Sequence, residues 1–274
     1  MEIVSYLNRI GLARRPETDL AGLTALHRAH LLAIPYENLD VQLGRPVTLA
    51  LEPIFEKLVT NRRGGWCFEM NGLFGWALGE LGFRVTRATG AVMRQAIGEA
   101  AHGNHLVLKV EMEEGLYLAD VGFGDGPIDP IAVQPGAFRS NGFSFALSQA
   151  EDDWWRLINH PAGGAPSFDF NLARADEALL ERQCQRLQTV PESVFVQNAV
   201  CQRYTENGLV VLRGRVLRTI TPDGVVERLV DSTANYVETL REQFALDLPE
   251  AASLWPAICA RHEALFGAVN RSPQ

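Results

Sequence analysis

The sequence predicts an α+β protein with a helical first third, a central antiparallel sheet or barrel and a mixed last third. Up to Gly82 apolar residues recur at helical spacing, and from Phe83 the period changes to two. With 274 residues, 47% of them hydrophobic, the chain can bury a large core, and its length suggests about one to three domains.

In the first third, Ile3, Tyr6, Leu7 and Ile10 fall on one helical face with Gly11 as the stop. Leu20, Leu23, Leu26 and His30 repeat the pattern after Asp19, a predicted N-cap. IPYENLD reads as a loop. A third helix is predicted over 51–61, ended by an Arg-Arg-Gly-Gly turn. A fourth starts near Cys67, with Leu73, Phe74, Ala77, Leu78 and Leu81 as its buried face and Gly82 as its stop. FRVTRATGAV, HLVLKV, LYLADVGF, FSFALS and WWRLI then read as strands separated by Gly, Asp, Glu and Pro clusters. A helix over 175–188 interrupts them. The hairpin NGLVVLRGRVLRTIT follows, with its turn at Arg213-Gly214, and then helices over 232–244 and 250–265. The expected regions are 1–82 (helical bundle), 83–190 (β-barrel) and 191–274 (α/β). No internal repeat or long linker separates them, so they are expected to pack together.

Charge and cysteine usage narrow the function. A net charge of −8 argues against a nucleic-acid partner, which selects a basic face. No segment approaches about 18 uninterrupted apolar residues and the first residues lack a signal-peptide pattern, so neither membrane nor export is expected and the predicted location is cytoplasmic. The four cysteines, Cys67, Cys184, Cys201 and Cys259, lie far apart without a CxxC pair, which fits reduced thiols and neither a disulfide framework nor a zinc site.

The stretch NRRGGWCFEMNG places Cys67 between a glycine turn and the start of a helix. A thiol there faces unpaired N–H groups and the positive end of the helix dipole, which lower its pKa and can hold an oxyanion. Gly64 and Gly65 let the backbone turn sharply and leave open space before the sulfur. A small buried packing residue remains the other reading of a Cys followed by Phe. In HGNHLVLKVEMEEGLYLADVGFG two apolar strands flank an acidic turn. With Met112-Glu113 as its centre, His105 stands directly opposite Asp120, and a bulge at Gly115 would shift the pairing by one or two positions. Asp120 would then fix the imidazole tautomer and His105 would take the thiol proton. His102 is an alternative base. Paired with His105 it could instead bind metal, but no second Cys or His pair accompanies the two, and no metal site is expected. His27, His30, His160 and His262 read as core or surface residues, and Cys184, Cys201 and Cys259 as structural.

IPYENLD, RGGWCFEMN, the NHLVL strand and DVGFG, in this order and spacing across nearly the whole chain, resemble the arylamine N-acetyltransferases. The resemblance implies a papain-like cysteine-transferase core: a helical bundle carrying the cysteine, a β-barrel carrying the histidine and aspartate, and an α/β lid over the cleft. It implies acetyl-CoA as donor, acetylation of Cys67, and transfer to an aromatic amine, hydrazine or N-hydroxyarylamine. Backbone amides around Gly124 and Gly126 would cradle the donor's phosphates, and Tyr36 and Phe123 would stack on the acceptor. An amide or macrolactam synthase, or a papain-like hydrolase, would use the same residues. The chain departs from the family at Trp66, where Tyr is common, and at Asp125, where many bacterial relatives carry the last glycine of GFGG. Asp125 therefore puts an acid near the expected phosphate site.

Overall fold

The chain begins with α1 (Ile3–Arg9) and α2 (Leu20–Ala33), the latter capped by the Asp19 carboxylate, which accepts from the Gly22 amide at 2.7 Å. The computed structural model describes residues 1–266, so residues 267–274 at the end of the expected third region lie outside the described residues. IPYENLD is not a plain loop: it forms β1 (Tyr36–Glu37) and α3 (Leu39–Gln42). The predicted third helix is α4 (Leu51–Phe55) continued by a π-helical turn, Glu56–Thr60, and the fourth is α5 (Cys67–Glu80).

β2 (Arg84–Val92) opens the central region and is followed by the helical turn α6 (Arg94–Ile97). β3 (His105–Met112), β4 (Gly115–Leu118), β5 (Ile131–Ala132), β6 (Gly136–Ser140), β7 (Phe143–Gln149), β8 (Trp154–Ile158) and β9 (Ser167–Arg174) complete an antiparallel sheet. Its order is β5-β4-β3-β2-β9-β8-β7-β6, and the expected barrel takes the form of a curled half-barrel. LYLADVGF is strand only as far as Leu118, after which the chain leaves the ladder. α7 (Glu177–Thr189), capped by Asp176, and α8 (Val194–Gln197) lead to β10 (Val200–Thr205), β11 (Gly208–Arg213), β12 (Val216–Thr221) and β13 (Gly224–Leu229). The β11–β12 turn is at Gly214-Arg215, one residue later than predicted, because Arg213 pairs with Val216. α9 (Thr233–Phe244) and α10 (Trp255–Phe266) follow, with a 3₁₀ turn at Pro249–Leu254 where the sequence suggested helix from 250.

The largest core lies between α5 and the half-barrel, where Leu73, Phe74, Ala77 and Leu78 meet Val107, Leu108 and Val110. A second core packs α9 and α10 on the β10–β12 sheet through Cys201, Leu212, Tyr236 and Leu240. β1 joins the two parts. Tyr36 and Glu37 pair with Gln202 and Cys201 of β10, and the Glu37 amide donates to the Gly65 carbonyl at 2.9 Å.

That contact explains the glycines before the cysteine. Neither has positive φ; the left-handed residue of this turn is Arg62, at φ 52°. A Cβ on Gly64 would lie 2.2 Å from the Pro35 carbonyl oxygen, and one on Gly65 would lie 2.8 Å from the Glu69 side chain. The glycines therefore permit close approach of two backbones, where the sequence suggested open space before the sulfur. Gly64→Ala should destabilise the fold by about 2 kcal/mol or more, because backbone atoms must shift. Gly79→Ala in α5, where nothing lies within 4 Å of the added carbon, should stabilise it by about 0.5–1 kcal/mol. Thermal denaturation of the two variants checks both signs.

Candidate active site

Cys67 is the first residue of α5 and 3% exposed. The helix start is held by Glu69, whose carboxylate accepts from the Trp66 amide at 3.1 Å, a reach-back of the capping-box kind. Glu69 is in turn fixed by Lys57 at 2.8 Å, Lys57 reaches Asp40 at 2.8 Å, and Arg63 bridges Asp40 and Glu37 at 3.2 and 2.7 Å. Two cations thus cross-link three carboxylates from β1, α3 and α5. All are at least half-buried, so removing one partner would strand a charge away from water.

The Cys67 sulfur lies 3.9 Å from the Asn104 carbonyl oxygen, at the start of β3. The next residue is His105, 1% exposed, whose Nε2 is 2.7 Å from Asp120 Oδ2. Nε2–H donates to that carboxylate, which leaves Nδ1 as the basic nitrogen, without a hydrogen-bond partner among the described residues. Gly90, across the ladder on β2, makes room for the ring, since a Cβ there would lie 2.9 Å from His105 Cδ2. Phe168 and Phe123 set their rings 5.1 and 5.9 Å from the imidazole.

The His105–Asp120 pair forms, but not by direct opposition. Met112 pairs with Gly115 and Lys109 with Leu118, so the turn centre is Glu113-Glu114 and the register is two residues later than predicted. A shift of two preserves the side-chain face, and the chain after Ala119 swings Asp120 back toward the imidazole. Asn71 secures this geometry. It lies one helical turn beyond Cys67, its Nδ2 donates to the Leu106 carbonyl at 2.6 Å and to Asp120 Oδ1 at 2.7 Å, and its Oδ1 accepts from the Val121 amide at 3.0 Å. The Gly122 amide also donates to Asp120 Oδ1 at 2.8 Å. Sequence reasoning missed Asn71, although its place four residues after the cysteine on the same helix was a usable signal. It also missed Glu69, Gly90 and Phe168.

Burial alone would raise the Asp120 carboxyl, but His105 and the hydrogen bonds from His105, Asn71 and Gly122 outweigh it and hold it below its ordinary value. For Cys67, burial pushes the thiol well above its ordinary value, Cys184 and Asp120 add to this, and the Leu106 and Phe68 amides oppose it. Desolvation of this size penalises a lone thiolate. Proton transfer to His105 would create an adjacent ion pair whose mutual attraction in a dry site opposes the penalty.

Gly122 packs directly on the cysteine: a Cβ there would lie 2.8 Å from Cys67 Cα. Beyond it, Phe123 is half-buried and sits 4.7 Å from Phe168. Tyr36 is buried on the other side, with its Cγ 3.4 Å from where a Gly124 Cβ would be. Gly124 has φ 92° and lies against Gln202, while the Gly126 carbonyl accepts from the Tyr204 hydroxyl. The amides of Phe123, Gly124 and Gly126 donate to no acceptor among the described residues. Asp125 points inward: it is 2% exposed and accepts from Asn159 and from the Gly164 amide.

His102 lies apart from the cysteine, bonded to Arg94 at 3.2 Å and stacked 4.8 Å from Trp154. Cys184 and Cys201 are buried and Cys259 is half-buried. Among the described residues no group of His, Cys, Asp or Glu is arranged to hold a metal ion, and no helix is long and apolar enough to cross a membrane.

The fold, with a cysteine at a helix start and a histidine–aspartate pair carried by a curled sheet, is that of the N-acetyltransferase class, whose family model matches residues 19–253. An arylamine N-acetyltransferase from Mycolicibacterium smegmatis is 36% identical over 260 residues, covering 92% of this chain and 94% of that protein. One from Escherichia coli K12 is 31% identical over 250 residues, covering 90% and 89%. Among solved structures, the M. smegmatis enzyme superposes with a TM-score of 0.85 at 34% identity over 95% of this chain and 98% of that one. The Mycobacterium marinum enzyme in complex with CoA gives 0.84 at 30% identity over 95% and 98%. The chain belongs to the arylamine N-acetyltransferase family of acetyltransferase enzymes.

Asn71→Ala removes three hydrogen bonds and leaves Asp120 Oδ1 short of a donor, so it should cost about 2–4 kcal/mol in urea unfolding. At temperatures where the variant is still folded, alkylation of Cys67 should slow because His105 loses its fixed orientation. Unchanged stability and reactivity would show that Asn71 does not organise the site.

Proposed function

We propose that this protein transfers the acetyl group of acetyl-CoA to the nitrogen of arylamines and hydrazines, and to the oxygen of N-hydroxyarylamines, by a ping-pong reaction through acetyl-Cys67. The observation that carries this reading is the His105 ring, tied at Nε2 to Asp120 and open at Nδ1, in the residue after Asn104, whose carbonyl oxygen lies 3.9 Å from the buried Cys67 sulfur. Nδ1 takes the thiol proton. The sulfur attacks the thioester carbonyl, and the CoA sulfur leaves with the proton from His105. An amine then attacks acetyl-Cys67, gives its proton to His105, and the Cys67 thiolate departs. Asp120 keeps the tautomer fixed and stabilises the imidazolium. The amides of Phe123, Gly124 and Gly126 fit a phosphate-bearing donor, and Tyr36 and Phe123 supply aromatic faces for the acceptor. The kinship with an enzyme solved in complex with CoA supports the choice of donor.

Mixing the protein with acetyl-CoA alone should add one acetyl group at Cys67, seen by mass spectrometry, and initial-rate lines should be parallel. An unmodified Cys67 with intersecting lines would refute the mechanism, and release of free acetate without transfer to an added arylamine would favour a hydrolase. Asp120→Asn should lower the single-turnover acetylation rate by orders of magnitude while the fold persists, because the amide can hold the wrong tautomer. The thiolate–imidazolium pair predicts fast alkylation of Cys67 well below the free-thiol pKa of about 8.5, an advantage that His105→Ala should abolish. Equal low-pH rates in the two proteins would exclude the pair.

A further inference from the structure

We propose that Asp125 positions the 123–126 loop for the acyl donor by pinning it to the 159–164 segment, so that this carboxylate sets how tightly acetyl-CoA is held. The inference rests on the reading of this loop as the donor cradle. Asp125 Oδ1 accepts from Asn159 Nδ2 at 3.1 Å and Oδ2 accepts from the Gly164 amide at 2.5 Å. Asn159 closes its own segment, donating to the Ala165 carbonyl at 3.0 Å and accepting from the His160 amide at 2.9 Å. The pin therefore joins two loops that no ladder connects. On either side of Asp125, the Gly124 and Gly126 amides have no acceptor among the described residues, and neither has that of Phe123. Gly124 and Gly126 are buried, and buried backbone donors are almost always paired, so these two, with the Phe123 amide beside them, point to an anionic ligand. Asp125 aligns those donors without touching what they bind.

The groups that face the carboxylate are Arg218 on β12, Tyr204 on β10 and Tyr36 on β1, while His160 beyond β8 lies against the Asp125 backbone. Both ring nitrogens of His160 are buried without a partner, so the imidazole does not neutralise Asp125 through a hydrogen bond. Burial raises the Asp125 carboxyl to about 6, against the Gly164 and Asn159 bonds and Arg218. Above that pH both oxygens are acceptors and both pins hold. Below it, one oxygen carries a proton directed at an N–H donor, and the pin loosens. The native state binds this proton more tightly than the unfolded chain, so ionising Asp125 lowers stability as pH rises from the ordinary carboxyl range to about 6. Asp125→Asn removes that cost, and its amide can accept only one of the two bonds, so it mimics the protonated loop.

Two measurements test this on the full-length protein: the KM for acetyl-CoA in the Cys67 acetylation half-reaction, and calorimetric affinity for CoA itself. For Asp125→Asn near pH 7.5 we expect KM to rise, and CoA affinity to fall, about five- to tenfold, the scale of one ordinary net hydrogen bond. The saturated acetylation rate and the thermal midpoint should hold. Near pH 5.5 the variant-to-wild-type ratio should approach one, which cancels titrations of Cys67 and His105 common to both proteins. Asn159→Ala should raise the same KM, and the double variant should add little. This second variant keeps the proposal open to refutation if Asp125→Asn does not fold. Unchanged KM and CoA affinity would overturn the proposal, as would KM, saturated rate and thermal midpoint all worsening together. If wild type binds CoA without acetylating Cys67, the proposed reaction fails, yet weaker CoA binding by Asp125→Asn would still uphold the pin; wild type that does not bind CoA overturns both.

Discussion

The carboxamide of Asn71 ties together the three pieces of chain that meet at the candidate site. Its nitrogen reaches β3 and Asp120, and its oxygen holds the Val121 amide, so α5, the strand carrying His105 and the loop carrying Asp120 share one planar group. The side chain is fully buried and uses three of its four hydrogen-bonding positions in this way. In a dry interior such a network is worth more than its separate bonds, and a vacancy in it is correspondingly costly. The lowered Asp120 carboxyl and the placement of the Val121 amide both draw on it.

Around this hub the charge balance is uneven. Glu37, Asp40 and Glu69 outnumber Lys57 and Arg63 behind the cysteine, and Asp120 adds another carboxylate in front. Such surroundings favour a cation and penalise an isolated anion at the sulfur. Glu69 also holds the Trp66 amide and so fixes where α5 begins. The helix dipole, which the sequence alone suggests as the activator of the thiol, is not enough: burial of Cys67 outweighs what two amides supply.

Much of the architecture was legible because local chemistry and tertiary packing agree. Asp19 and Asp176 are caps where polar residues precede apolar periodicity, and Gly82 ends α5 with φ 94°. The hairpin register was two residues out because the acidic turn offered several centres, yet parity carried Asp120 to the correct face. Besides β1, the strands β5, β6, β9, β10 and β13 were missed. Asp169 lies 1% exposed in the middle of SFDFNLAR, made tolerable by Arg156 and Arg94, and a buried carboxylate reads as a loop when its partners are distant in sequence. β13 is exposed along its length, so its pattern lacks the alternation that marks a strand. That a helix starts at Cys67 and that His105 meets Asp120 were legible from residue type and spacing. Asn71 and Asn159 act through geometry that only the folded chain defines.

The pairing of β1 with β10 also constrains how the protein is made. Tyr36 and Glu37, which support the turn before the cysteine, find their strand partners in Gln202 and Cys201, and the Val200 amide donates to Asn38 across 162 residues of sequence. At ordinary ribosomal elongation rates the later strand emerges roughly ten to thirty seconds after the earlier one. Throughout that interval the nascent chain carries Cys67 in a turn with one side unsupported, so the thiol is less enclosed in newly synthesised molecules than in the finished protein, where it is 3% exposed.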